Sequence, residues 1–372
     1  MTTVLRASSS SDFLRVIPSL AGFTPRESLV LLPFHAARTT GALRLDLPRR
    51  DAHLSEYADT AVALVARVER TDAVALVVYT DDEAYATRDG LVLPFAVGVE
   101  AVLARAEDAG LHIVDALCVT PSGWASYLVD EPELEEFDDA PAPGVLGIGD
   151  VSGDQWAGAD LPDVDLAECE RVGRALLRIA DVLDRADDDL PTARDDPQAL
   201  AAALLLDDVP VFFEVVLAMR GELPPFAMAA LLWCLDRPLL RDVALTQWAT
   251  DIIGGIRTLD AQLGFAEHCT AVPDDLGEVF LGRGPRPDPD RLGRALTTVR
   301  AAAARAPLAS RPGPLTAAAW LSWALGRSSH AGRYLDMVGE IDPEYGLAQL
   351  LTTMIGAAVL PEWAFRRGET AA

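Results

Sequence analysis

The chain contains no lysine. Its 31 cationic side chains are all arginine, set against 57 carboxylates, and the formal net charge is −26 over 372 residues. Without lysine there can be no Walker-A lysine on a nucleotide phosphate, no Schiff-base lysine, no kinase strand lysine and no Ser-x-x-Lys nucleophile. Abundant Ala, Arg, Gly, Pro, Asp and Val supply the ordinary account of that absence, the codon usage of a GC-rich genome. Three further motifs are missing: the Gly-x-Ser-x-Gly elbow, the Gly-x-Gly-x-x-Gly turn and His-Glu-x-x-His. Cysteine is scarce. Cys118, Cys169, Cys234 and Cys269 are too far apart in sequence for a zinc knuckle or a Cys-x-x-Cys pair. The five histidines, at 35, 53, 112, 268 and 330, make no metal pair at helical spacing. Glu267-His268-Cys269 sets a histidine beside a thiol, but neighbouring side chains on a helix diverge by about 100°, which rules out a dyad between them. Long apolar runs are missing too. The longest, Phe226 to Leu235, has the length of a buried helix and falls short of a bilayer span. The opening Met-Thr-Thr-Val-Leu-Arg has no signal-peptide core, so a cytoplasmic protein with reduced thiols and no membrane partner is expected.

Half of the residues are apolar, enough for a substantial core, and the length suggests two domains. The acidity and the dispersed arginines disfavour nucleic acid, itself a polyanion. Residues 1–135 alternate between strand and helix periods. Ser11-Asp12 can cap a short helix ended by Gly22. The continuous apolar run Ser28 to Phe34 reads as a strand covered on both faces, and Ala42 to Leu47 alternates like a half-exposed one. A helix is expected over 54–70, a buried strand over 73–79, a helix over 93–109, and strands over 111–119 and 124–129. That order implies an α/β sandwich domain around a mixed, largely parallel sheet. Residues 136–165 follow as an acidic Gly/Pro-rich linker. Its approach, Asp130 to Asp139, holds seven acids and no base.

Residues 166–372 read as an all-helical domain. Helices are expected near 166–186, 196–206, 209–219, 224–235, 238–253, 258–268, 289–305, 315–326, 330–340 and 345–356. Leu315 to Pro343 resembles a tetratricopeptide unit: Ala319 and Ala331 take its small positions, Gly326 its turn, and Asp342-Pro343 its close. Trp320 and Trp323 are offset from the aromatic positions of that repeat. The resemblance implies a C-terminal hairpin that stacks on its neighbours and could offer a peptide groove.

Three segments of the α/β part carry the candidate site residues. Gly22 to Ser28 is a polar turn before a buried strand, with Arg26 and Glu27 able to clamp a ligand or to pin the turn by an ion pair. Tyr79-Thr80-Asp81-Asp82 closes the clearest strand. Gly123 to Tyr127 carries Trp124 and Tyr127, which an odd spacing sends to opposite faces of a strand. Pro18 to Val30, Val78 to Asp82, Trp124 with Ser126-Tyr127, and Asp342 to Ala348 together resemble an actinobacterial family catalogued as domain of unknown function 4192. The resemblance implies no established activity. Members often carry cysteines just after the Ser-Tyr element; Val129, Asp130 and Glu131 stand there here, so no metal or redox role carries over to that loop.

In open α/β sheets ligands bind beyond the carboxyl ends of the strands. Arg26, Glu27, Asp81, Asp82, Trp124 and Tyr127 are therefore the candidate ligand-binding residues, with no cofactor implied. The leading expectation is a non-catalytic interaction or regulatory protein with a helical surface for a protein partner. The alternative is a phosphoester hydrolase in which Asp46, Asp81 and Asp82, with Asp115 in a further strand, hold Mg²⁺ or Mn²⁺. Against the metal stands a plainer role, in which Asp81-Asp82 starts a turn, caps the next helix and pairs with Arg26 or Arg88.

Overall fold

The computed structural model describes residues 9–36, 38–39, 41–88, 90–137, 151, 153–185 and 196–365. The chain divides into two compact units between Ala157 and Gly158, with Phe365 returning to the first unit. Of the expected linker, residues 138–150 and 152 lie outside the described residues.

The first unit begins with α1 (Ser10–Ala21), capped by the Ser9 side chain rather than by Ser11 or Asp12, and ended by Gly22 at φ 83. Then follow β1 (Ser28–His35), β2 (Arg38–Thr39), β3 (Leu43–Asp46), α2 (Leu54–Ala66), β4 (Ala73–Tyr79), the short hairpin β5 (Tyr85–Thr87) and β6 (Gly90–Val92), α3 (Ala96–Asp108), β7 (His112–Thr120) and β8 (Gly123–Ser126). The main sheet runs β2-β1-β4-β7-β8, with β3 also on β1. It is mixed, but the expectation of a largely parallel sheet is wrong: β4 and β7 are the parallel pair, and the other pairings are antiparallel. The physical reason lies in β1. Strands β3 and β4 both run against β1 and therefore alike, so α2 is a true crossover between them. The strand inserted between the two reverses the local pairing, and a helix–strand alternation read along the chain cannot reveal that.

Side-chain alternation explains the two cores. Leu29 and Leu31 point one way along β1 and, with Leu76, Val78, Ala116 and Cys118, pack under Ala61, Val62 and Val65 of α2 and Val99 and Val102 of α3. Val30 and Leu32 point the other way and, with Ala75, Val77 and Leu117, meet Leu14 and Ile17 of α1. Both faces are covered, so β1 from Leu29 to Phe34 and all of β4 are apolar.

The second unit is helical: α4 (Leu166–Leu183), α5 (Pro197–Leu204), α6 (Val209–Ala218), α7 (Pro225–Leu235), α8 (Pro238–Ala249), α9 (Ile252–His268), α10 (Asp274–Phe280), α11 (Pro289–Arg305), α12 (Pro312–Ala324), α13 (Ser328–Ile341) and α14 (Gly346–Gly356). Proline starts α5, α7, α8, α11 and α12, where its missing N–H costs nothing and its φ is already helical. Gly254 and Gly255 lie inside α9, not in a break before it. Asp251 caps that helix, and a Cβ on Gly255 would stand 2.0 Å from the buried Gln247 side chain. Helix α10 has no counterpart among the expected helices.

Every residue of α12 is buried, which makes it the centre of the unit. Three indole N–H groups fasten neighbours to it. Trp320 donates to the Phe280 carbonyl (3.3 Å), Trp323 to that of Val359 (2.7 Å), and Trp363 to that of Ala324 (3.0 Å). At its start, Gly313 lets α12 lie directly on the end of α7; a Cβ there would meet the Leu235 carbonyl oxygen at 2.5 Å. Gly313→Ala is therefore expected to destabilise the helical unit by about 1–3 kcal/mol through forced backbone displacement. Gly293→Ala in α11, whose Cβ would meet nothing within 4 Å, is expected to be neutral or to stabilise by up to about 1 kcal/mol. Denaturant unfolding of the two variants checks the contrast.

Candidate functional site

One edge of the sheet gathers the start of β1 and the ends of β3, β4 and β7. Ser28 stands between Asp46 of β3 and Tyr79 of β4, and Tyr79 lies beside Val119 of β7. The chain enters β1 here through Thr24-Pro25-Arg26-Glu27. Glu27 has φ 43, in the left-handed region that a residue with a Cβ adopts only when its surroundings demand it. The demand is visible on both sides. The Glu27 carbonyl accepts the Leu47 N–H (3.1 Å), just past β3, while its carboxylate reaches the end of β4. There one oxygen, Oε1, accepts both the Thr80 hydroxyl (3.0 Å) and the Asp81 N–H. Thr80 Oγ1 in turn accepts the Asp82 N–H (3.1 Å). Glu27 thus binds both neighbours of its own strand.

Arg26 sits one residue earlier and points outward. Its guanidinium donates to Asp81 Oδ2 at 2.6 Å, with both side chains more than half exposed. The bond to Asp81, with that carboxylate's charge behind it, raises the Arg26 guanidinium above its usual value. The Arg26 backbone is clamped by Gln155, which is only 2% exposed: the Arg26 N–H donates to Gln155 Oε1 (3.0 Å) and Gln155 Nε2 donates to the Arg26 carbonyl (2.9 Å). Nearby, the Thr24 N–H donates to the Gly153 carbonyl (2.9 Å).

These contacts frame a cavity of about 430 Å³. Leu14, Arg15 and Pro18 of α1 form one wall. Thr24, Pro25 and Arg26 form the next, and the ends of β4 and β7 the others, with Phe137 alongside. Tyr79 lines it and is 7% exposed, yet its hydroxyl has no hydrogen-bond partner among the described residues. Burial raises the phenol above its usual pKa, so it remains a neutral donor. The described walls carry no serine, cysteine or histidine.

Arg26, Glu27 and Asp81 are brought together. Arg26 pairs with Asp81, one of the partners the sequence offered it, and not with Glu27. Asp82 is exposed beside them and does not line the cavity. The pair Asp81-Asp82 caps no helix, because the next element is the β5–β6 hairpin. Asp46 stands on the far side of β1, where Arg44 Nη1 donates to it (2.7 Å) and to Ser28 Oγ (2.8 Å). Asp115 lies mid-sheet beside Ala75 and accepts the Ser10 hydroxyl (2.8 Å). Among the described residues no three His, Cys, Asp or Glu side chains converge as a metal-binding group, so Asp46, Asp81 and Asp82 do not form one.

Trp124 and Tyr127 do take opposite faces, and both are occupied in packing. Trp124 is buried on the α1 side, its backbone paired with Glu135. Tyr127 packs on the α2–α3 side and donates its hydroxyl to the Pro94 carbonyl (2.6 Å). Neither lines the cavity. The residues that do, and that sequence reasoning passed over, are Tyr79, Thr120 and the α1 face at Leu14 and Pro18. Tyr79 left a trace, a hydroxyl ending an otherwise aliphatic strand; Gln155, 129 residues from its partner, left none.

A family model described as a domain of unknown function (DUF4192) matches residues 11–254, which include every cavity residue. Comparison with curated proteins and with solved structures gives no match.

Glu27 is the residue most open to test. Glu27→Ala is expected to lower the stability of the α/β unit by on the order of 1–2 kcal/mol, from loss of bonds to an ionised acceptor. Glu27→Gly is expected to lose less, because glycine takes the left-handed φ without the cost of about 1 kcal/mol that a Cβ imposes. Calorimetric melts check this. A glycine variant no more stable than the alanine variant would contradict the strained turn.

Proposed function

The chain belongs to the DUF4192 family, and from that premise, which carries no activity with it, we propose a non-catalytic regulatory or interaction protein. In this reading the α/β unit takes a small polar molecule in the cavity at the sheet edge, and the helical unit presents a surface to a protein partner. The observation that carries it is the buried Tyr79 hydroxyl, without a partner among the described residues, in the wall of a cavity that the Arg26–Asp81 pair also lines. Small-molecule sites have this composition: mostly apolar walls, a few convergent polar groups, and a volume of roughly 300–1,000 Å³. A ligand with a hydroxyl or carbonyl for Tyr79 and a charged group for Arg26 or Asp81 fits those walls.

The described walls carry threonine hydroxyls but no histidine to act as their general base, which supports binding over nucleophilic catalysis. The hydrolase alternative asks Mg²⁺ or Mn²⁺ to gather Asp46, Asp81 and Asp82, yet Arg44 and Arg26 hold two of these carboxylates on opposite sides of β1. The tetratricopeptide-like pairing of α12 and α13 contributes to this reading as packing. A first helix enclosed along its whole length has no face left for a groove. A cytoplasmic setting belongs to the same proposal; among the described residues no helix is long and apolar enough to cross a membrane.

A thermal-shift screen of the full chain against sugars, amino acids, nucleosides and their phosphates, followed by calorimetry, tests the proposal. At least one compound is expected to bind saturably. Tyr79→Phe is expected to weaken it by about tenfold, the worth of one hydrogen bond, without destabilising the free protein. The proposal is overturned if no compound binds, if binding ignores both Tyr79→Phe and Arg26→Ala, or if Mg²⁺ or Mn²⁺ elicits turnover that Asp81→Asn abolishes.

A further inference from the structure

A second concave site lies entirely within the helical unit. A groove of about 620 Å³ runs between α4, α5 and the start of α7. Its floor is apolar, from Ala175, Ala202 and Phe226, and Pro224-Pro225 stiffens one wall. The opposite wall is cationic. Arg171, Arg174 and Arg178 all line the groove from α4, at the i, i+3, i+7 spacing that places them on one helical face. In a chain with 57 carboxylates and a net charge of −26, three arginines on one wall of one groove are a local reversal of sign.

The arginines are unequally engaged. Arg178 pairs with Asp196, a carboxylate already committed to capping α5. Arg174 and Glu170 approach only to 3.9 Å, with both side chains largely exposed. Arg171 makes no ion pair or hydrogen bond among the described residues. Leu205, just past the end of α5, also lines the groove and is 46% exposed. Cationic wall, apolar floor and an exposed leucine together ask for a partner with both features, apolar side chains to cover the floor and carboxylates to meet the arginines.

We propose that this groove docks a short acidic amphipathic helix of another protein. Arg171 to Arg178 spans two helical turns, roughly 10 Å, the distance over which a docked helix presents anchors at i, i+4 and i+7. The chemistry argues against the other polyanions. An anionic bilayer is flat, whereas this surface is concave and belongs to a strongly acidic protein. Nucleic acid asks for aromatic platforms, and the floor holds one phenylalanine. The proposal rests on the partner-surface part of the reading above and is independent of the cavity at the sheet edge.

The test uses the full-length protein and a fluorescent synthetic peptide of about four helical turns, with leucines at i, i+4 and i+7 and glutamates elsewhere. A scrambled peptide of the same composition, a lysine-for-glutamate peptide, vesicles rich in phosphatidylserine and a single-stranded oligonucleotide are the comparisons. The amphipathic acidic peptide is expected to bind in fluorescence anisotropy and to weaken as salt rises. The double variant Arg171→Ala, Arg174→Ala is expected to weaken it about tenfold without changing the melting temperature, with the single variant Arg171→Gln as a milder check of folding. The scrambled and lysine peptides are expected to bind at least about tenfold more weakly. Four results would overturn the proposal: no binding by the wild type, equal binding of the scrambled peptide, indifference to the arginine variants, or tighter binding of vesicles or oligonucleotide. If the groove fails while a small molecule still binds at Tyr79, the reading of the α/β unit stands; loss of both ends the functional account.

Discussion

The site at the sheet edge depends on a single carboxylate oxygen. Glu27 Oε1 accepts from the Thr80 hydroxyl and the Asp81 backbone, and the Glu27 carbonyl accepts from Leu47 beyond β3. One residue thereby bridges both neighbours of its strand, and it does so in a left-handed conformation that costs energy elsewhere in a chain. The consequences follow in order. The end of β4 is turned so that Asp81 meets Arg26 at the surface. Tyr79, two residues back, is left with its ring in the cavity wall and its hydroxyl without a partner among the described residues. Gln155 closes the arrangement from behind by holding both backbone groups of Arg26.

Much of the architecture was legible because burial writes itself into side-chain order. The unbroken apolar runs of β1 and β4 announced a sheet covered on both faces, and Pro225 and Pro238 marked helix starts within a residue, whereas α12 begins at Pro312, three residues before its expected start. What stayed hidden was pairing. No local pattern tells that β1 runs against both of its long neighbours, and strands as short as β2, β5 and β6 bury too little to leave a period. Gly254-Gly255 read as a break because the reason for Gly255, the close approach of Gln247, comes from another helix.

The site was legible to the same degree. Arg26, Glu27 and Asp81 stood out as polar residues at the ends of buried strands, and they meet at one edge. Which atom meets which depends on separations of 53 to 129 residues, beyond the reach of spacing arguments. Trp124 and Tyr127 show the opposite error. Aromatics on a short strand looked available to a ligand, but an edge strand of a doubly covered sheet spends them on its two cores.

The central claim is that the Glu27 carboxylate holds the end of β4 in place and so shapes the cavity. Residue-resolved amide exchange by nuclear magnetic resonance tests it most directly, through the Asp81 N–H, which lies in an exposed loop and has no sheet partner. The account predicts that this amide is protected nearly as well as those of β4, and that protection is lost in Glu27→Gly while β4 retains its own. An Asp81 amide that exchanges at the rate of an unstructured loop in the wild-type protein would contradict it.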